Sequence, residues 1–247
     1  MSPLALVGVG AFLVAGGVVG VRMLWLYART RRSPELLLGL GLLGSGAVGV
    51  ALEIAVRQTH QVGEDSPWAM FALTLVPDYL GAASLALFGW RVFLGRERWG
   101  TGVAILVVLG LAGCATGELL SGQWVHYLDG KTSSGPWIPL GLAMRGLVPA
   151  LLSALALRSH RMMRRRMRIG LAEPLVANRV LLWGVATLCS ALAHAVATVH
   201  RCLHGAPMEA HLWAVGLVSL AGLLAAGALA LAFFPPRAYE RWVESRR

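Results

Sequence analysis

The sequence predicts an all-α polytopic membrane protein, a seven-transmembrane-helix bundle with its N-terminus outside and its C-terminus in the cytoplasm. Three observations predict it. The 247 residues are 57% hydrophobic and only 14% charged, with a mean hydropathy of +0.66, whereas a soluble domain is roughly 45–50% apolar and 25% charged. That leaves too little polar sequence to cover one globule, let alone two. Seven apolar runs each reach the roughly 20 helical residues that cross a hydrocarbon core about 30 Å thick. Lys and Arg crowd into alternate connections, which sets the orientation.

In chain order the helices are expected at residues 4–27, 35–56, 68–91, 100–121, 136–158, 180–200 and 211–234, followed by a basic cytoplasmic tail at 235–247. No basic residue precedes the first helix, so it does not read as a cleavable signal peptide and is expected to be retained. It carries Gly8, Gly10, Gly16, Gly17 and Gly20, and the second helix carries Gly39, Gly41, Gly44, Gly46 and Gly49. Such small faces let membrane helices approach closely, and a homodimer contact is their other use. The second helix also holds Glu53, four residues before Arg57. In the third, Asp78 follows Pro77, with Thr74 one turn earlier. The fourth aligns Cys114, Glu118 and Ser121 on one face. The fifth holds Arg145, whose carbonyl is freed by Pro149. The sixth aligns Thr187, Ser190, His194, Thr198 and Arg201 at helical spacing. The seventh contributes none of these intramembrane charges, and the short connections make neighbouring helices antiparallel within one domain.

Orientation follows from the basic residues. One set of connections and the tail hold Arg29, Arg31, Arg32, Arg91, Arg96, Arg98, Arg158, Arg161, Arg164, Arg165, Arg166, Arg168, Arg179, Arg237, Arg241, Arg246 and Arg247. The other set holds only Arg57, Lys131 and Arg201. Short basic loops stay cytoplasmic, so the formal charge of +10 is explained by orientation, and nucleic acid is not an expected partner. The Arg158–Arg168 segment reads as a helical extension lying on anionic lipid headgroups, with the connection to Arg179 beside it. Trp25, Trp90, Trp99, Trp183 and Trp242 are expected at inner ends, and Trp68, Trp124, Trp137 and Trp213 at outer ends, all at headgroup level.

An ionisable side chain inside a span costs at least a few kcal/mol and faces the bundle interior or a water-filled cavity. Glu53, Asp78, Glu118, Arg145 and His194 are five such groups from five helices, and all fall in the outer half. If their faces converge, they line a ligand-binding pocket open to the outside. The alternative is structural: ion pairs of Arg145 with Asp78 or Glu118, an interfacial Glu53–Arg57 pair, and a satisfied core histidine at 194.

His200 and His204 have the i, i+4 spacing that puts two imidazoles on one helical face, and His126 is a further external imidazole. Together they are the candidate Zn or Cu ligands, with solvated loop histidines as the alternative because Gly205 and Pro207 end the helix. A bis-His haem needs two opposed intramembrane histidines, and only His194 qualifies. A retinal Schiff base needs an intramembrane lysine, and the sole lysine, Lys131, is in an external loop. Cys114, Cys189 and Cys202 form no CxxC or CxxCH motif, so neither a dithiol site nor haem attachment is expected, nor an external disulfide.

At the end of helix seven, Phe233 to Trp242 read FFPPRAYERW. This stretch, with the overall topology, resembles the exit segment of the N-terminal seven-helix sensor modules of bacterial signalling proteins such as membrane histidine kinases and diguanylate cyclases. The resemblance implies a bacterial inner-membrane location and a diproline that ends the last helix before a cytoplasmic output. As the sequence runs five residues past Trp242, it further implies a sensor with a separate cytoplasmic signalling partner or an input module detached from its output. The expected function is a sensor or receptor-like protein binding a small ligand or a proton among the five intramembrane groups. A membrane-embedded metal- or haem-dependent enzyme and a small proton-coupled transporter are the alternatives.

Overall fold

A computed structural model describes residues 3–60, 67–95, 97–123, 135–204, 208 and 211–245. Among the described residues there is no strand, and nine α-helices follow one another. They are α1 (Pro3–Thr30), α2 (Ser33–Leu42), α3 (Gly49–His60), α4 (Pro67–Gly89), α5 (Arg98–Ser121), α6 (Trp137–Met167), α7 (Pro174–His204), α8 (Leu212–Phe233) and α9 (Arg237–Glu244). A π-helical turn at Leu43–Val48 joins α2 to α3 in one rod, and a second at Trp90–Leu94 prolongs α4. The result is seven helical rods long and apolar enough to cross a membrane, in the number and order that the apolar runs predict.

The burial pattern says what surrounds them. Leu106, Leu120, Leu203 and Leu212 are 70%, 76%, 70% and 77% exposed, while Leu111, Leu152 and Leu229 are each 2% exposed. A soluble protein does not turn such large apolar side chains outward in bulk; a bundle facing lipid does. Without a hydrophobic drive between helices in lipid, close packing of small residues supplies the cohesion. A Cβ on Gly8 would run into the backbone of Ser219 on α8, and one on Gly81 of α4 would run into the backbone at Gly44 and Ser45 in the π turn. Gly20 and Gly39 similarly make room for Leu43 and Leu24 between α1 and α2. Gly10 and Gly46 have open space where a Cβ would stand.

Helix length departs from prediction at three places. α6 runs on to Met167 and α7 begins at Pro174, where the apolar runs predict 158 and 180. An apolar run measures the thickness of the hydrocarbon, whereas Arg and Met propagate a helix well beyond it. At 31 residues each, α6 and α7 are about 46 Å long, and Gly170, at φ 72°, reverses the chain between them. The arginines of the Arg158–Arg168 extension are all exposed. Residues beyond Pro236 form α9 rather than a plain tail. It docks on α7: Asn178 Nδ2 donates to the Tyr239 hydroxyl at 2.8 Å, Tyr239 stacks on Trp242, and Val243 is buried.

One tryptophan is not where the headgroup rule puts it. Trp25, Trp99 and Trp213 are about half exposed, but Trp183 is 7% exposed and packs edge-on against Phe88 and Phe233, at centroid distances of 5.8 and 6.2 Å. Because α7 starts at Pro174, Trp183 lies nine residues, about 13 Å, inside the helix.

Candidate functional site

The bundle forms a partly open cavity of about 330 Å³, and Glu53, Asp78, Glu118, Arg145 and His194 all line it. Five elements deliver them, namely α3, α4, α5, α6 and α7. The backbone around the cavity is unusually broken: Pro77 and Pro149 lie inside α4 and α6, and the π turn brings Ser45 to the wall, its hydroxyl donating to the Gly41 carbonyl at 2.8 Å. Each proline removes a backbone donor, and such interruptions are tolerated at membrane depth only where protein or a cavity surrounds them.

Arg145 is the hub. Its Nη1 donates to Asp78 Oδ2, its Nη2 to Glu118 Oε1 at 3.4 Å, and its Nε to the Gly141 carbonyl at 3.1 Å. The Tyr79 hydroxyl donates to the same Glu118 oxygen at 2.9 Å, and the guanidinium lies over the Tyr79 ring, 4.8 Å from its centroid. The guanidinium therefore touches two carboxylates, one carbonyl and one aromatic face, and its planar fork suits all of them at once. Glu118 is 1% exposed, a depth at which a carboxylate requires partners. Space for this arrangement comes from glycine: a Cβ on Gly141 would overlap the Glu118 carboxylate and the Tyr79 hydroxyl, and one on Gly146 would press on His194.

His194 has a defined tautomer. Its Nδ1 lies 2.9 Å from the Ser190 carbonyl, which can only accept, so Nδ1 carries the hydrogen and Nε2 is the ring atom left for other chemistry. Thr187 and Ser190 share the cavity wall with it. The rest of that polar row behaves differently: Thr198 returns its hydroxyl to the His194 carbonyl, and Arg201 is buried. On α5, Cys114 is buried in the apolar core, and Ser121 is exposed. All three cysteines are free, with Cys202 the exposed one. Trp183 also lines the cavity, and its indole N–H is buried with no acceptor among the described residues.

A second cluster stands apart from the charged groups. His200 and His204 on α7 meet His211, the residue before α8, with ring centroids 4.4 to 5.0 Å apart. His126 lies outside the described residues, as do the side chain of Arg57 and all of Lys131 and Trp124.

Sequence reasoning missed Tyr79, Gly141 and His211 as site residues. Tyr79 and Gly141 carry no signal in an apolar run, whereas His211 was visible as one of three histidines flanking a short connection. No known protein family, characterised protein or solved structure matches this chain.

Proposed function

We propose that the protein is a sensor or receptor-like integral membrane protein whose cavity binds a small ligand, or a proton in its place, and reports occupancy to a cytoplasmic partner. The observation that carries this reading is the convergence of Glu53, Asp78, Glu118, Arg145 and His194 on one cavity. Ion pairing alone accounts for Asp78, Glu118 and Arg145, but it does not account for His194, which lines the same space and, among the described residues, hydrogen-bonds only through Nδ1 to the Ser190 carbonyl. Formally Asp78 and Glu118 set two carboxylates against the one guanidinium of Arg145, so the walls favour a positively charged group over a negative one. The rest of the lining is largely Leu, Val, Ala and Trp, and the buried Trp183 N–H wants an acceptor. The ligand class that fits is a small, mainly apolar molecule bearing one cationic group and an acceptor.

In this reading the basic ends of α6 and α7 and the docked α9 lie on the cytoplasmic face, with the N-terminus outside, and the membrane is the bacterial inner membrane. The FFPPRAYERW segment supports a signalling role at that face, because it joins α8 directly to α9. Binding acts by favouring one arrangement of α4, α6 and α7, with Pro77 and Pro149 interrupting α4 and α6 beside the charges.

The test is thermal stabilisation of the purified protein in nanodiscs by a panel of matched cationic, neutral and anionic amphiphiles. Cationic members are expected to raise the melting temperature, and Asp78→Asn, Glu53→Gln and Arg145→Met each to remove or reshape that response. A response unchanged in all three variants, or one confined to anionic members, overturns the reading.

A further inference from the structure

We infer that His200, His204 and His211 form a binding site for a divalent first-row metal ion of the zinc or copper type, separate from the charged cavity. The three imidazoles come from two elements that the chain brings back together. His200 and His204 stand one turn apart at the end of α7, and His211 immediately precedes α8. One ring nitrogen from each lies within 4.8 Å of the other two. In a tetrahedral zinc site with Zn–N distances of about 2.0–2.1 Å, ligand nitrogens are about 3.3 Å apart. The cluster is thus one small closure away from coordination geometry. His204 is exposed, and its side chain can supply that movement.

Three neutral nitrogen donors with no carboxylate or thiolate among them favour zinc and copper over magnesium, calcium or manganese. A three-histidine set also leaves a fourth position open. His200 anchors the site. It is 1% exposed, and its Nε2 lies 2.9 Å from Nδ1 of His211. Without metal, one of these two atoms carries a hydrogen aimed at the other. Metal binding moves that hydrogen to the second nitrogen of its own ring, a change of tautomer with no net change of charge, and both lone pairs then face the ion.

The site has a position that gives metal a consequence. The His211 N–H donates to the Met208 carbonyl at 3.0 Å, and Met208 and Ala197 both line the cavity. An ion held by α7 and the start of α8 therefore fastens two elements at the cavity rim.

The experiment uses the full chain, purified without a histidine tag, stripped with chelator, and titrated with zinc or copper(II) ions alone. One equivalent is expected to bind. His204→Gln and His211→Gln are each expected to weaken it by more than about 100-fold, since even second-shell changes cost about 10–100-fold. His204 is exposed, so its variant is expected to fold, which circular dichroism and the melting curve check. Copper(II) bound to the wild type should show electron-spin couplings from imidazole nitrogens. Two controls separate the alternatives: Cys202→Ser must retain binding, because a thiol two residues from His200 also attracts zinc, and Asp78→Asn must retain it, because the cavity is a different site. Absence of stoichiometric binding, binding indifferent to His204→Gln, or binding lost in Cys202→Ser overturns the assignment. Metal binding that survives when no amphiphile stabilises the protein leaves this site standing and removes the cavity reading.

Discussion

Arg145 reaches Asp78 and Glu118 from a helix that supplies no other charge at that depth, so its removal leaves the buried Glu118 and the half-buried Asp78 without their shared cation. Losing one partner of a buried ion pair costs about 3–5 kcal/mol. Arg145→Met is expected to destabilise the protein by that order, read as a large fall in melting temperature in detergent. Neutralising the whole group with Asp78→Asn and Glu118→Gln is expected to recover part of the loss. If Arg145→Met melts like the wild type, the triad is not the buried hub described. Gly141→Ala tests the same place by volume: its methyl group collides with Glu118 and Tyr79, and overpacking of this kind costs about 1–3 kcal/mol. Of the site, the ionised residues were legible in the sequence because a charge inside an apolar run is rare and has few reasons to be there. Tyr79 and Gly141 were not, because their importance depends on which helix lies opposite, and that is set by packing of the whole bundle.

Helix existence was legible from the apolar runs, but helix ends were not. The run sees only the part of a rod immersed in hydrocarbon, so the extension of α6 to Met167 and the early start of α7 escape it, and with them the buried place of Trp183. The segment after the diproline shows the same limit. Its basic, aromatic composition says that it lies at a surface, while its pairing with Asn178 depends on where α7 begins. Tyr239→Phe removes the acceptor for Asn178 Nδ2, and loss of one hydrogen bond of this kind costs about 1 kcal/mol. Hydrogen exchange of amides 237–244 should then be faster while those of α8 are unchanged. Equal protection in both proteins would show that the contact does not hold α9. Between α4 and the π turn, a larger side chain has nowhere to go: Gly81→Val meets backbone rather than a mobile side chain. It is expected to cost at least as much as Gly141→Ala, visible as a lower yield of folded protein and a lower melting temperature.

For the molecule as a whole, orientation rests on the basic residues, and a native probe is in place. Cys202 is exposed near the end of α7, whereas Cys114 and Cys189 are buried. A membrane-impermeant maleimide added to intact bacterial cells expressing the protein is expected to label one thiol per chain without any substitution, and Cys202→Ser to abolish it. Labelling seen only after the cells are opened would invert the topology and place the arginine-rich end outside. The architecture also joins two spaces through one side chain. Trp183 borders the charged cavity, and it also borders a second hollow formed with Arg22, Trp25, Arg179 and Phe233 at the arginine-rich end. Arg22 donates to the Phe233 carbonyl at 2.9 Å and lies over the Phe234 ring, directly before the diproline. The indole is thus a party wall between two rooms. Under the proposed function, a ligand that displaces the indole from one side would change the hollow on the other, whose wall includes Phe233, the last residue of α8 before the turn into α9.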